Sequence, residues 1–162
     1  MKSMNPYRDA AFFGMTLAEL AEVLKALEQR RTANKMMVEL FKGAEAQAPD
    51  ESKEQARIRR VSAEADGAMA ASASVQLAMA LQGIEDGLEK EGRIETSERV
   101  SPPEGHEDRV KPADAARMRE KAAEYAEEYD LLMHEVESKE ATAKDEVAKP
   151  VGLADMKPVG RA

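Results

Sequence analysis

Eighteen consecutive residues near the middle of the chain carry no charge, although 35% of all residues are charged. The stretch covers residues 67–84 and reads GAMAASASVQLAMALQGI. Most of its side chains are small, which lets another helix approach closely. Such a segment is either the close-packed centre of a helical assembly or a weak membrane-spanning helix. The fold class of the chain depends on which of these two possibilities holds.

The composition predicts an all-α protein with long helices. Ala, Glu, Lys, Leu and Arg supply 87 of the 162 residues, a proportion typical of coiled coils and other long helices. Leu, Ile, Val and Phe supply only 27 residues, and an alanine side chain buries little apolar area. We therefore expect a marginal monomer that gains stability by packing on copies of itself or on a partner.

The first helix is predicted over residues 17–42. Thr16 and Glu19 fit a capping box at its start. Leucines then recur with a 3-4-3 spacing that is typical of a helix packed along one face. Arg31 and Asn34 occupy core positions in this pattern, where a polar residue costs stability but can fix register and oligomeric state.

A short connection is predicted over residues 43–50, because Gly43 supplies a left-handed stop to the first helix. Asp50 or Ser52 then caps the second helix, which ends at Gly92. At 1.5 Å per residue the second helix is about 60 Å long. We expect it to pack antiparallel against the first helix as a hairpin.

The second helix has apolar residues on two opposite faces around its centre, which implies neighbours on more than one side. Three glycines within it are predicted bends or close contacts: Gly67, Gly83 and Gly87. The residues predicted to form helix-packing contacts are Ala65, Ala68, Ser72, Val75, Met79, Leu77, Leu81 and Ile84.

The predicted organisation is a helical hairpin over 1–92, a proline-containing polar linker over 93–112, an acidic third helix over 113–147 and an extended tail over 148–162. Apolar residues in the third helix follow an unbroken heptad, which predicts coiled-coil-like packing. Its predicted contact residues are Met118, Tyr125, Tyr129 and Leu132. The linker permits this helix to lie along the second helix or on a neighbouring copy.

The tail contains the sequence Lys-Pro-Val-Gly twice. Proline and glycine at this density preclude a helix, and a short extended repeat is a candidate docking peptide. Its candidate docking residues are Pro150, Val151, Pro158 and Val159.

The residues that would carry catalysis or bind metal are scarce. The chain has no cysteine and two histidines, and His134-Glu135 lacks the second histidine of a zinc-binding HExxH motif. No glycine-rich phosphate loop or nucleophile elbow is present. We therefore expect no enzymatic activity, no cofactor and no metal site.

The distribution of charge argues against nucleic acid as a partner, because the net charge is −8 and phosphate binding requires clustered lysine and arginine. The uncharged stretch over 67–84 contains few of the strongly apolar residues that drive membrane insertion. A membrane partner is therefore not expected, although a helix that inserts only after a trigger stays an alternative. We expect a cytoplasmic protein, or one incorporated into a particle assembled in the cytoplasm.

These features favour a structural or assembly protein that acts by helix packing in a homo-oligomer or a larger complex. An adaptor or chaperone for a single protein partner, and a conditionally membrane-inserting protein, are the alternatives. In composition the chain resembles small virion or scaffolding proteins of tailed bacteriophages, which are often acidic, alanine-rich and free of cysteine. The resemblance involves no sequence motif.

Overall fold

The computed structural model describes residues 11, 12 and 14–148, with side chains described from 14 to 145. Its architecture is all-α with three long helices, which confirms the predicted fold class. The helices are α1 (Leu17–Gln47), α2 (Lys53–Lys90) and α3 (Pro112–Ala148). The shorter elements are an antiparallel pair of two-residue strands, β1 (Ala11–Phe12) and β2 (Met15–Thr16), and 3-10 turns at Asp50–Ser52 and Thr96–Glu98. The tail residues Pro150, Val151, Pro158 and Val159 lie outside the described residues.

The start of α1 is capped as the sequence predicts. The Thr16 hydroxyl oxygen accepts a hydrogen bond of 3.2 Å from the backbone N–H of Glu19. The same hydroxyl donates to the Glu19 carboxylate, also at 3.2 Å. One of the four backbone donors at the helix start is thereby satisfied.

The predicted stop at Gly43 is wrong, since α1 continues to Gln47. The residues after Gly43 are good helix formers, and the break comes only where Pro49 disfavours the helical conformation of Ala48. Ser52 does not cap α2, because its hydroxyl donates to the carbonyl of Pro49 at 3.3 Å. Because α1 ends at Gln47 and α2 begins at Lys53, the connection between them is shorter than the predicted 43–50.

The end of α2 follows from a glycine in the left-handed region. Gly92 has a φ of +69°, and its N–H bonds the carbonyl of Glu89 at 3.0 Å. The N–H of Arg93 bonds the carbonyl of Leu88 at 2.9 Å, which completes a Schellman motif. This turn directs Ile94 back into the core beside Leu88.

The central helix is α2, with α1 packed antiparallel along it. Near the middle of the hairpin the Asn34 amide donates to the Asp66 carboxylate at 2.9 Å. Close to the turn, Arg60 of α2 pairs with Glu45 of α1. The residue numbers on the two helices therefore run in opposite directions.

Helix α3 lies along α2 as well, again antiparallel. Gln82 of α2 bonds the backbone of Val110, just before α3 begins. Further along, Ala68 of α2 and Tyr125 of α3 line the same groove. Both flanking helices thus pack on α2, which explains why its centre is apolar on two opposite faces.

The hydrophobic core is concentrated at the open end of the hairpin. Five buried residues form it: Leu17, Leu20, Leu81, Leu88 and Ile94. Between Leu24 and Gln47, no α1 side chain is fully buried within the described structure. The half of α1 nearest the hairpin turn therefore contributes little to the core.

The glycines of α2 have different surroundings. A Cβ added at Gly67 would lie 3.3 Å from the Cβ of Asn34, so Gly67 permits the close approach of α1 that was predicted. A Cβ added at Gly83 or Gly87 would meet nothing within 4 Å. Of the two predicted alternatives, a close contact is wrong at those two positions, and a bend stays a prediction.

Candidate functional site

The residues predicted for helix packing on α2 are all at least half-buried. Ala65, Ser72 and Leu81 are buried, and Ala68, Val75, Met79, Leu77 and Ile84 are half-buried. Leu81 belongs to the core, and Leu77 and Ile84 pack against that core. On α3, Leu132 is buried, and Met118, Tyr125 and Tyr129 are half-buried. Much of the packing expected from the small residues of α2 is therefore made within one copy of the chain.

The linker between α2 and α3 is fixed along α2 by polar side chains, a feature that the sequence reasoning missed. The Gln82 amide donates to the carbonyl of Val110 at 3.0 Å and accepts from the N–H of Val110 at 3.0 Å. The Glu85 side chain is fully buried. It accepts hydrogen bonds from the N–H groups of Val100 (2.7 Å) and Ser101 (3.0 Å).

Two arginines of the linker, Arg99 and Arg109, complete this attachment. We call the contacts that these arginines, Val100, Ser101 and Val110 make with Gln82, Glu85, Asp86 and Glu89 the linker clasp. The Arg99 side chain is only 1% exposed and bonds Asp86 and Glu89, each at 2.7 Å. Arg109 pairs with Asp86 as well. Because buried charges are costly unless they are paired and hydrogen-bonded, these contacts specify one path for the linker.

The clasp shifts the pKa of its charged groups in the direction expected of stable ion pairs. Hydrogen bonds from Arg109 and then from Arg99 hold the pKa of Asp86 below its ordinary value. The Thr96 hydroxyl and then Arg99 lower the pKa of Glu89 in the same way. Burial opposes the charged form of Arg99, but its bonds to the two carboxylates outweigh burial and raise its pKa.

A signal for the clasp is present in the sequence. Gln82, Glu85, Asp86 and Glu89 follow one another at i, i+3, i+4 and i+7, so they share one face of α2. Apolar periodicity alone does not reveal this face, because its members are polar. The linker packs on this face of α2, in the place where another helix could have packed.

An open groove continues the same face of α2 toward the hairpin turn. Ala71 and Gln82 are eleven residues apart, about three helical turns, so both point to the same side of α2. The groove has a volume of about 390 Å³. Its lining residues come from α1 (Arg31, Asn34, Lys35, Val38, Glu39, Lys42), α2 (Glu64, Gly67, Ala68, Ala71) and α3 (Met118, Lys121, Tyr125).

The groove is rich in positive charge. Arg31, expected in a core position, is instead exposed at the groove together with Lys35, Lys42 and Lys121. Of the two acids that line it, Glu39 pairs with Lys42 at 3.7 Å and Glu64 pairs with Arg60 at 3.1 Å. The groove is a cationic site on an acidic chain.

The opposite side of α1 carries an exposed apolar stripe. It consists of Ala33, Met36, Met37, Leu40 and Ala44. Met36 is 71% exposed, Leu40 64% and Met37 41%. The spacing i, i+3, i+4, i+7 and i+11 places all five on one strip of the helix surface about 100° wide, the usual width of a helix face that packs against a neighbour.

The apolar stripe extends toward α2 at one edge. Met37 and the half-buried Phe41 line a second groove with Ile58 and Ala63 of α2. The same groove is also lined by polar residues, namely Arg30, Asn34, Arg59, Ser62 and Asp66. The apolar stripe therefore meets a groove of mixed polarity at this edge.

Among the described residues, no group of three or more histidine, cysteine or carboxylate side chains is placed to hold a metal ion. None of the helices there is both long and apolar enough to cross a membrane. Comparison of the chain with protein-family models, with curated proteins and with solved structures finds no match.

Proposed function

We propose that this chain is a non-enzymatic structural or assembly protein, and that two copies pair through the apolar stripe of α1. The observation that carries the proposal is the exposure of Met36, Met37 and Leu40 within five consecutive residues. Contiguous apolar patches on helical proteins are typical of interaction sites. Pairing of two stripes would create a four-helix arrangement from two hairpins.

The uneven core supports the same proposal. The end of α1 near Leu17 is held by the core, whereas the stripe lies on a half of α1 that has no fully buried side chain in the described structure. Burial of apolar area stabilises a helix by about 25 cal/mol per Å². A second copy covering the stripe would supply the stabilisation that the monomer lacks at this end.

A role as a virion or scaffolding component of a tailed bacteriophage is the finer form of the proposal. It is supported by composition and by the capacity for self-association that the stripe suggests. The buried Glu85 and the half-buried Asp86 are engaged by the linker, so the proposal assigns them no catalytic role. An adaptor that binds one acidic or apolar partner is the alternative.

The test is the oligomeric state of the full chain with Met36→Gln and Leu40→Gln combined. We expect the wild type to sediment as a dimer or larger species at micromolar concentration, and the double variant to shift toward monomer. Because both residues are exposed in the monomer, neither substitution removes a buried side chain within one copy, and circular dichroism checks that the variant is folded. Val100→Gln is the matched control, since Val100 is 57% exposed and lies in the linker, away from the stripe.

A wild-type chain that is a stable monomer at these concentrations would contradict the proposal. A monomer that instead forms a stoichiometric complex with one purified partner would favour the adaptor. A double variant that associates as tightly as the wild type would show that the stripe is not the contact.

A further inference from the structure

The cationic groove is a second interaction surface, and it faces away from the apolar stripe. Its cations Arg31, Lys35 and Lys42 lie on the side of α1 opposite Met36 and Leu40, as their helical spacing requires. We propose that the groove binds the acidic outer face of α3 from another copy of this chain. This proposal rests on the proposed function, because it adds a second contact to the same self-assembly.

The outer face of α3 has the chemistry that the groove would recognise. Leu131 is 64% exposed and is surrounded on its own helix face by acids at i−7, i−4, i−3 and i+4. These acids are Glu124, Glu127, Glu128 and Glu135, and all are exposed. We call this face the acidic ridge: an apolar side chain inside a ring of carboxylates.

The two surfaces are complementary in charge and in polarity. The groove places four cations and two acids around apolar lining residues such as Val38 and Met118, and of these cations Lys42 pairs with Glu39 at 3.7 Å. The ridge places four carboxylates around Leu131, and of these Glu135 pairs with Lys139 at 3.4 Å within α3. The groove volume of about 390 Å³ is larger than a leucine side chain, so there is room by volume for Leu131.

The spacing of the charges matches along the helices. Arg31 and Lys42 bound the cations of α1, and Glu124 and Glu135 bound the acids of the ridge. Each pair is separated by eleven residues, or about 17 Å of helix. Complementary charges arranged over equal lengths favour a defined register between two surfaces.

The chain's own tail is a poorer occupant of the groove. Residues 148–162 contain three basic residues and one acid, so the tail has the same sign of charge as the groove. The third helix carries a net charge of −6 over residues 113–147. A contact between the groove of one copy and the ridge of the next joins different surfaces, and such heterologous contacts extend an assembly beyond a symmetric pair.

A charge-swap experiment tests the contact on the full chain. Lys35→Glu with Lys42→Glu reverses the groove, and Glu128→Lys with Glu135→Lys reverses the ridge at the same seven-residue spacing. We expect the wild type to form species larger than a dimer in sedimentation equilibrium, and each double variant alone to stop at a dimer. Mixing the two variants should restore the larger species, because the reversed groove of one variant meets the reversed ridge of the other, and the unchanged ridge of the first meets the unchanged groove of the second.

Lys25→Glu with Lys90→Glu is the matched control, since it changes the net charge as much as the groove variant at exposed positions outside the groove. It should assemble like the wild type. About 1 M NaCl, which shortens the screening length to ~3 Å, should reduce the wild type to the dimer.

Failure of the mixture to assemble beyond a dimer would overturn the groove–ridge contact. A wild type that stops at a dimer would also overturn it, while leaving pairing through the apolar stripe intact. The two failures can be told apart. If the Met36→Gln and Leu40→Gln variant loses the dimer while the charge-swap variants sediment like the wild type, then the groove–ridge contact fails and the proposed function stands.

Discussion

Asp86 is the residue on which the path of the linker depends most directly. Its carboxylate forms ion pairs with both Arg99 and Arg109, which lie in different parts of the linker. The lowered pKa of Asp86 means that the folded protein holds this group ionised at a lower pH than the unfolded chain does. The clasp therefore contributes a stability that depends on pH.

Replacement of Asp86 by asparagine should remove this contribution. Charge-assisted hydrogen bonds are worth about 1.5–3 kcal/mol, so we expect Asp86→Asn to lower the free energy of unfolding by about that amount at neutral pH. The stabilisation is complete above the ordinary pKa of 3.8 and is lost as the pH falls through the lowered value. The difference between wild type and variant should therefore shrink below pH 3.8.

Urea unfolding at a series of pH values measures this difference. Asp130→Asn, at an exposed position on α3, is the matched control and should follow the wild-type curve. A difference between wild type and Asp86→Asn that stays constant down to about pH 2.5 would show that ion pairing is not its source.

At the scale of the helices, Gly67 and Gly83 differ in their neighbours. Alanine is preferred over glycine inside a helix by about 1 kcal/mol. At Gly83 an added Cβ meets nothing within 4 Å, whereas at Gly67 it lies 3.3 Å from Asn34 of α1. We expect Gly83→Ala to raise the free energy of unfolding by roughly 0.5–1 kcal/mol and Gly67→Ala to give a smaller gain or a loss.

Thermal or urea unfolding of the two variants decides the matter, since each serves as the control for the other. Equal gains at the two positions would show that α1 does not approach α2 as closely at Gly67 as the structure indicates.

The helices themselves could be predicted from sequence, and the reasons are local. Thr16 with Glu19 marks the start of α1, and Gly92 marks the end of α2. Gly43 was misleading because a glycine stops a helix only when the residues after it favour leaving the helix, and Pro49 supplies that break later.

The clasp and the two open surfaces could not be predicted in the same way. The polar residues from Gln82 to Glu89 share a helix face, but their partners lie seven to 28 residues away, in a linker whose path the sequence pattern does not specify. Arg31 fits the apolar spacing of α1, yet in the structure it is exposed at the groove. A helix position is buried only if a neighbouring helix extends alongside it. How far the neighbour extends depends on tertiary structure, which the local sequence pattern does not give.

The central helix of the described structure is α2. The two flanking helices pack on opposite sides of α2, and the linker covers part of a third side. Within the described residues, the cationic groove lies on one side of α1 and the exposed apolar stripe on the other. We propose both as surfaces for association in a chain with a net charge of −8 and little bulky apolar content.

In the proposed assembly, the stripe of α1 lies against another copy of the chain. Because the natural sequence has no cysteine, single cysteines can be placed one at a time at Ala33, Met37, Leu40 and Ala44. A disulfide requires Cα atoms within about 7 Å of each other, so only positions near the axis that relates two copies can cross-link. Lys35→Cys and Lys42→Cys, on the groove side of α1, are the controls.

Quantifying disulfide-linked dimers of these variants under mild oxidation is the most direct measurement. We expect efficient cross-linking at one or more stripe positions, with the positions that react spaced by three or four residues, and little at the two controls. Cross-linking at the stripe that is no greater than at Lys35→Cys and Lys42→Cys would contradict it.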